Sequence, residues 1–142
     1  MAAQVTYADV EVGTSLPTLT VPMQRWNLIQ YAGASGDFNI IHWNERIATM
    51  VGLPNVIAHG MYTMALAARV VTEWVGDPGA LLDYQVRFSR PVVVPDDDKG
   101  ALLLIAGRVE EKLDDQRVVV VITAEVEGSG VLTGARATVR LA

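Results

Sequence analysis

The chain has 142 residues, about the size of one ordinary domain, and its 51% hydrophobic against 19% charged content excludes intrinsic disorder. Lys and Arg number 11 against 16 Asp and Glu, and the resulting net charge of −5 disfavours nucleic acid, which needs a dense basic footprint. The absence of cysteine excludes a disulfide framework, a thiolate zinc site and a thiol nucleophile.

Residues 1–20 lack the basic start and apolar run of a signal peptide. Arg69 and Glu73 interrupt the longest apolar stretch before it could span a bilayer. The expectation is a soluble, cytoplasmic protein with a single domain over residues 1–142 and no membrane contact. No linker, repeat or low-complexity segment divides it. The first half is rich in Ala, Gly, Met and Trp, and the second in β-branched residues.

After an extended stretch near Leu16 to Val21, Pro22 suits the first turn of a helix. Trp26, Leu28, Ile29 and Tyr31 would form its apolar face, and Gly33 and Gly36 would end it. Asn44 is an N-cap for a short helix through Met50, which Gly52 and Pro54 stop. From Gly60 to Val75 almost every position is apolar, and Tyr62, Arg69 and Glu73 fall in a narrow polar stripe at ~100° per residue. A soluble helix of that kind must be wrapped, usually by a sheet.

The second half supplies the sheet. Tyr84, Val86, Phe88 and Val92 alternate with Gln85, Arg87 and Ser89, which is strand periodicity. Further strands are expected over 101–109, 117–127 and 131–141, joined at Asp114-Asp115 and at Gly128-Ser129-Gly130. Such short connections imply antiparallel pairing. Long strands around one buried helix point to an α+β fold of the hot-dog type. Residues 101–109 are apolar on both faces, as if a second subunit covered the outer one.

Two segments carry candidate chemistry. Asp37 is the only Asp, Glu, Lys or Arg between Trp26 and Asn44, and His42 follows five residues later in a Gly- and Asn-marked loop. A carboxylate among so many apolar residues needs hydrogen-bonding partners. An Asp and a His aimed into one cavity suit proton transfer, since His titrates near neutrality and a carboxylate can orient it or a water. Equally, Asp37 could cap a turn and His42 could be a core histidine. Ser35 could complete a Ser-His-Asp set only formally, because no Gly-x-Ser-x-Gly elbow is present. The two histidines have no carboxylate at a paired helical spacing, so no metal site is expected.

The second segment is Ala58-His59-Gly60-Met61, at the mouth of the apolar helix. The first amides of a helix lack internal partners and attract developing negative charge. Glycine there would let a carbonyl approach closely, making the Gly60 N–H a candidate oxyanion donor, or else it merely eases the turn. His59 reads as a structural residue.

Tyr31-Ala32-Gly33-Ala34-Ser35-Gly36-Asp37-Phe38-Asn39-Ile40-Ile41-His42, followed by Val56-Ile57-Ala58-His59-Gly60-Met61, resembles the signature of MaoC-like (R)-specific hydratases and dehydratases. It is especially similar to the catalytic B subunits of actinobacterial (3R)-hydroxyacyl-ACP dehydratases. The similarity runs almost end to end, through Val75-Gly76-Asp77-Pro78-Gly79-Ala80 and the Arg87-Phe88 strand. It implies the hot-dog fold and reversible addition of water to trans-2-enoyl thioesters. It makes Asp37 and His42 the acid/base pair and Gly60 the oxyanion donor, with Ser35 and Asn39 steadying the loop. It implies an acyl-CoA or acyl-ACP substrate, no cofactor, and a homodimer or a heterodimer with a paralogous hot-dog subunit. The chain departs from the family pattern at Ile40, usually Pro, and at Asn44, usually acidic. Neither change removes a proton-transferring group.

Two other readings fit less well. A hot-dog thioesterase needs no histidine in this loop, and a non-catalytic acyl-binding partner needs neither Asp37 nor His42. An acidic carrier protein would look for local cations, of which Arg87, Arg90 and Lys99 are the nearest.

Overall fold

The computed structural model describes residues 3–142. Its frame is a six-stranded sheet whose strands pair antiparallel. The strands are β1 (Leu19–Met23), β2 (Leu81–Phe88), β3 (Ala101–Lys112), β4 (Arg117–Val126), the short β5 (Ser129–Gly130) and β6 (Leu132–Arg140). Their order is β1-β3-β4-β6-β2, with β5 attached to β4. The helices are α1 (Arg25–Ser35), α2 (Glu45–Met50) and α3 (Gly60–Val75).

Helix α3 lies against β2, β3, β4 and β6. Thr63, Leu66, Ala67, Val70, Val71 and Val75 are buried toward the sheet, where they meet Leu103, Ile105, Val120 and Val139. Met61, Ala65, Arg69 and Glu73 form the exposed stripe, every fourth residue, with Arg69 and Glu73 paired at 2.7 Å. Gly76, at φ 72°, ends the helix in a left-handed cap. This is the hot-dog arrangement: a long helix held in the curve of an antiparallel sheet.

Pro22 is not in a helix. It lies in β1 opposite Leu102, and α1 begins at Arg25 behind a capping box between Gln24 and Asn27. Proline is tolerated there because β1 is an edge strand and needs no outward donor. Gly33 lies within α1, and Gly36, at φ 78°, is its cap. Only Leu28 and Ala32 of α1 are buried; Trp26 and Ile29 face outward. Helix α2 begins where expected, with the Asn44 side chain accepting from the Ile47 amide.

In the sheet, β2 ends at Phe88, and Val92 belongs to the segment that follows rather than to the strand. The β4–β5 turn falls on Glu127 and Gly128, both at positive φ, the twist a tight hairpin requires. The expected outer apolar face of β3 is real: Leu102 and Leu104 are exposed while Ala101, Leu103 and Ile105 are buried. Both β1 and β2 have one unpaired edge. No helix of the described residues is long and apolar enough to cross a membrane.

Candidate active site

The loop after α1 is held by side chains that each accept an amide two residues on. Ser35 Oγ accepts from Asp37, Asp37 Oδ1 from Asn39, and Asn39 Oδ1 from Ile41, at 3.1, 3.1 and 3.3 Å. Small polar side chains are suited to such turns, which explains their crowding between 35 and 39. Trp43 Nε1 closes the loop by donating to the Phe38 carbonyl at 3.1 Å. Asn39 also caps a one-turn 3₁₀ helix, Ile40–His42, that aims His42 inward. Ile40 occupies the first position of that turn, where Pro would fit, and the Asn39 cap holds the turn without a ring. Asn44 is spent on capping α2.

His42 is buried and its Nδ1–H donates to the Ile57 carbonyl at 2.7 Å. A carbonyl can only accept, so Nδ1 carries the proton and Nε2 presents a lone pair. That Nε2 stands 4.0 Å from Asp37 Oδ2. Asp37 itself is not sunk in an apolar setting as its neighbours suggested; its side chain is 52% exposed, because Phe38, Ile40 and Trp43 turn outward with the loop. The pair is therefore a buried imidazole beside a solvated carboxylate.

A cavity of about 270 Å³ opens in front of His42. It is lined by Gly60 and Thr63 of α3, by Phe88 through Val92, and by Ile57, Ala58, Val131 and Leu132. It meets α3 only at Gly60 and Thr63, and its apolar walls come from Phe88 and Leu132 of the sheet and from the connecting residues Ile57, Ala58, Pro91, Val92 and Val131. Gly60 starts α3, and its amide makes no hydrogen bond among the described residues. A Cβ at Gly60 would stand 2.9 Å from the Phe88 ring, so this ring packs where any larger residue would have to be. A second groove, about 750 Å³, shares Arg90, Pro91, Val92 and Val131 with the first and continues past Lys99. Arg87 lies on β2 and lines neither.

His59 is more than a turn residue. It is buried, its ring stacks on His42 with centroids 3.8 Å apart, and its Nε2–H donates to the Asp37 carbonyl at 3.0 Å. Burial holds its pKa below the usual value, with the nearby His42 pushing the same way, so the ring is neutral. The sequence marks it as structural but not its partners, which lie 17 and 22 residues away; its place next to Gly60 was the available signal. Asp37, His42 and His59 each bring a ligand-type atom within 4.8 Å of the others. Two of the four ring nitrogens are already engaged, His42 Nδ1 by the Ile57 carbonyl and His59 Nε2 by the Asp37 carbonyl.

Fold and site together define a hot-dog scaffold, with a loop bearing an aspartate and a histidine set against the N-terminus of its central helix. The MaoC like domain matches residues 8–128, and the chain belongs to that family. It is 41% identical over 66 residues to the 3-hydroxyacyl-thioester dehydratase X of Mycobacterium tuberculosis, a match covering 46% of this chain and 22% of that protein. A solved MaoC-like dehydratase superposes with a TM-score of 0.94 at 39% identity, covering 99% of this chain and 44% of that one. The unliganded R-hydratase PhaJ1 of Pseudomonas aeruginosa gives 0.84 at 28%, covering 99% and 89%. The match thus spans about a fifth of the curated dehydratase, and the chain under half of the solved one.

Proposed function

We propose that this chain is a hydro-lyase that interconverts (3R)-hydroxyacyl and trans-2-enoyl thioesters, its residues 1–142 acting as one hot-dog domain. The observation that carries the reading is a set of three unlike groups, two of them lining one apolar cavity and the third, the carboxylate, standing beside the histidine. They are a histidine nitrogen with a free lone pair, a carboxylate 4.0 Å from it, and an unpartnered helix-start amide. The names of the relatives, a 3-hydroxyacyl-thioester dehydratase and an R-hydratase, support it.

The chemistry follows from the geometry. Asp37 and His42 are too far apart to bond directly, so both are free to hold one oxygen between them. In hydration, that oxygen is a water oriented by Asp37. His42 Nε2 takes its proton as the hydroxide adds to C3, and the electron pair of the double bond moves toward the thioester oxygen. The Gly60 amide receives that charge, because the end of a helix is preorganised for it. His42 then returns the proton to C2, and the sum is water added across the double bond. Dehydration is the reverse: His42 takes the C2 proton and gives it to the departing hydroxyl. No cofactor or metal enters this scheme. The substrate is an acyl-CoA or acyl-ACP, and Arg90 and Lys99 along the second groove supply the positive charge either carrier's phosphate would meet.

A second subunit belongs to the same reading, either a copy of this chain or a paralogue. The free edge of β2 ends at Phe88, beside the cavity, so a strand added there extends the sheet and walls the site. The solved 39% identical relative has more than half of its chain outside the matched domain, room for a second unit of this size.

The test is hydration of crotonyl-CoA by the purified chain. Asp37→Asn and His42→Ala should each lower kcat by at least ~10²-fold, the usual scale for losing a general acid or base. Near-normal turnover in both would overturn the assignment.

A further inference from the structure

His59 touches each working part of the site. Its Nε2–H holds the Asp37 carbonyl, its ring lies flat on His42, and its own residue is the cap immediately before Gly60. The Tyr31 ring meets it edge-on at 4.7 Å and packs in turn on Tyr62. Asp37, His42 and Tyr31 are thus the titratable groups set against it.

The structure keeps this arrangement at a cost. His59 is 1% exposed, yet its Nδ1 has no hydrogen-bond partner. An unpaired buried polar atom opposes folding, and a leucine or phenylalanine filling the same space would avoid that penalty. Packing alone therefore gives no reason for an imidazole here. What the imidazole adds is a donor at one end, reaching the Asp37 backbone, and a flat neutral face on the other side, against His42.

We infer that His59 is a positioning residue for the proposed reaction, clamping the Asp37 backbone with Nε2–H and backing the His42 ring with its neutral face. The inference rests on the reading that Asp37 and His42 carry the proton transfer. The clamp fixes the carboxylate relative to the base, the precision on which proton transfer depends. The face matters when His42 becomes an imidazolium, because a cation over a neutral π-system is stabilised and a second cation would repel it.

The chain has two histidines, so any substitution at 59 leaves His42 as the sole imidazole to titrate. His59→Gln keeps a side-chain N–H that can reach the Asp37 carbonyl but removes the ring. The expected result is a fall of about half a pH unit in the His42 midpoint, read by NMR and mirrored in the pH profile of kcat/KM. His59→Phe keeps the ring and removes the donor. It should retain the His42 midpoint but lose about tenfold in kcat with KM within about twofold, since the lost clamp disturbs chemistry more than binding. In the unsubstituted protein, ¹⁵N ring signals should show His59 neutral with its proton on Nε2 throughout the range in which His42 titrates.

A His59 that takes up a proton before His42 would overturn the inference without any variant. So would Gln and Phe variants that lose only thermal stability, with native kcat and a native His42 midpoint. If those two behave natively while Asp37→Asn and His42→Ala are dead, this inference fails and the proposed function stands. If Asp37→Asn and His42→Ala are active, the proposed function is what fails.

Discussion

Replacing Gly60 with Ala tests the oxyanion role and is decided by two neighbours, the free amide and the Phe88 ring. The backbone accepts alanine, because Gly60 is not among the glycines at positive φ. Alanine also gains about 0.5–1 kcal/mol over glycine within a helix. Against this, the new methyl would lie 2.9 Å from Phe88 Cδ2 and Cε2, where carbon atoms ordinarily sit ~3.5–4.0 Å apart. Phe88 is 52% exposed, so the ring has an outward path and the clash is relieved without moving the core. The two stability effects nearly cancel, and the melting temperature should stay within about 4 °C, the scale of 1 kcal/mol for a chain this long. Activity should respond differently. The methyl stands beside the amide that the thioester oxygen must reach, and loss of one such donor costs ~10²–10³ in kcat, roughly 3–4 kcal/mol. KM should change far less, since the charge on that oxygen peaks in the transition state. Crotonyl-CoA hydration and a melting curve on one preparation measure both. Phe88→Ala serves as the control for ring displacement: it should raise KM, and adding it to Gly60→Ala should not restore kcat. Unchanged kcat with a lowered melting point would refute the role and leave Gly60 as a turn residue. Recovery of kcat in the double variant would show that the displaced ring, rather than the blocked amide, was responsible.

Other outcomes follow from the same geometry. Gly100 sits at φ 69° with the Met23 carbonyl where a Cβ would go, so Gly100→Ala should cost about 2–3 kcal/mol in urea unfolding; a loss below about 1 kcal/mol would contradict this. Burial lowers the pKa of His59, so the unfolded chain binds a proton near its usual value of 6.5 that the folded chain refuses. The stability tied to a neutral His59 is therefore full above about pH 6.5 and declines as pH falls toward the lowered folded value, by at most about 1.4 kcal/mol per pH unit. His59→Gln should remove that part of the slope, and an identical pH dependence in both proteins would count against it. Light scattering of the purified chain, alone or with a paralogous subunit, should give a dimer; a monodisperse monomer with full activity would exclude the second subunit.

Local pattern was enough for much of this protein. The apolar run from Gly60 to Val75 could only be a wrapped helix, Asn44 could cap the helix that follows it, and the β-branched second half had to pair in antiparallel order across its short turns. Those signals depend on periodicity and on side chains reaching one or two turns along the chain. Asp37 and His42 were legible for the same reason, since five residues and a polar loop bring them together. Contacts between distant segments were not. Pro22 marks a helix start by its own ring geometry, but pairing with β3 drew it into an edge strand instead. That β2 would cross over to pair with β6 at the far edge, and so place Phe88 over Gly60, is a matter of how the sheet closes around α3. The exposure of Asp37 followed from the loop turning its apolar neighbours outward. His59 is the clearest case: its place beside Gly60 marked the segment but not its partners, and only the folded chain stacks it on His42 and under the Asp37 carbonyl. Side-chain type and spacing determine which local structures are affordable, whereas burial and contact between segments are set by the packing of the whole sheet against one helix.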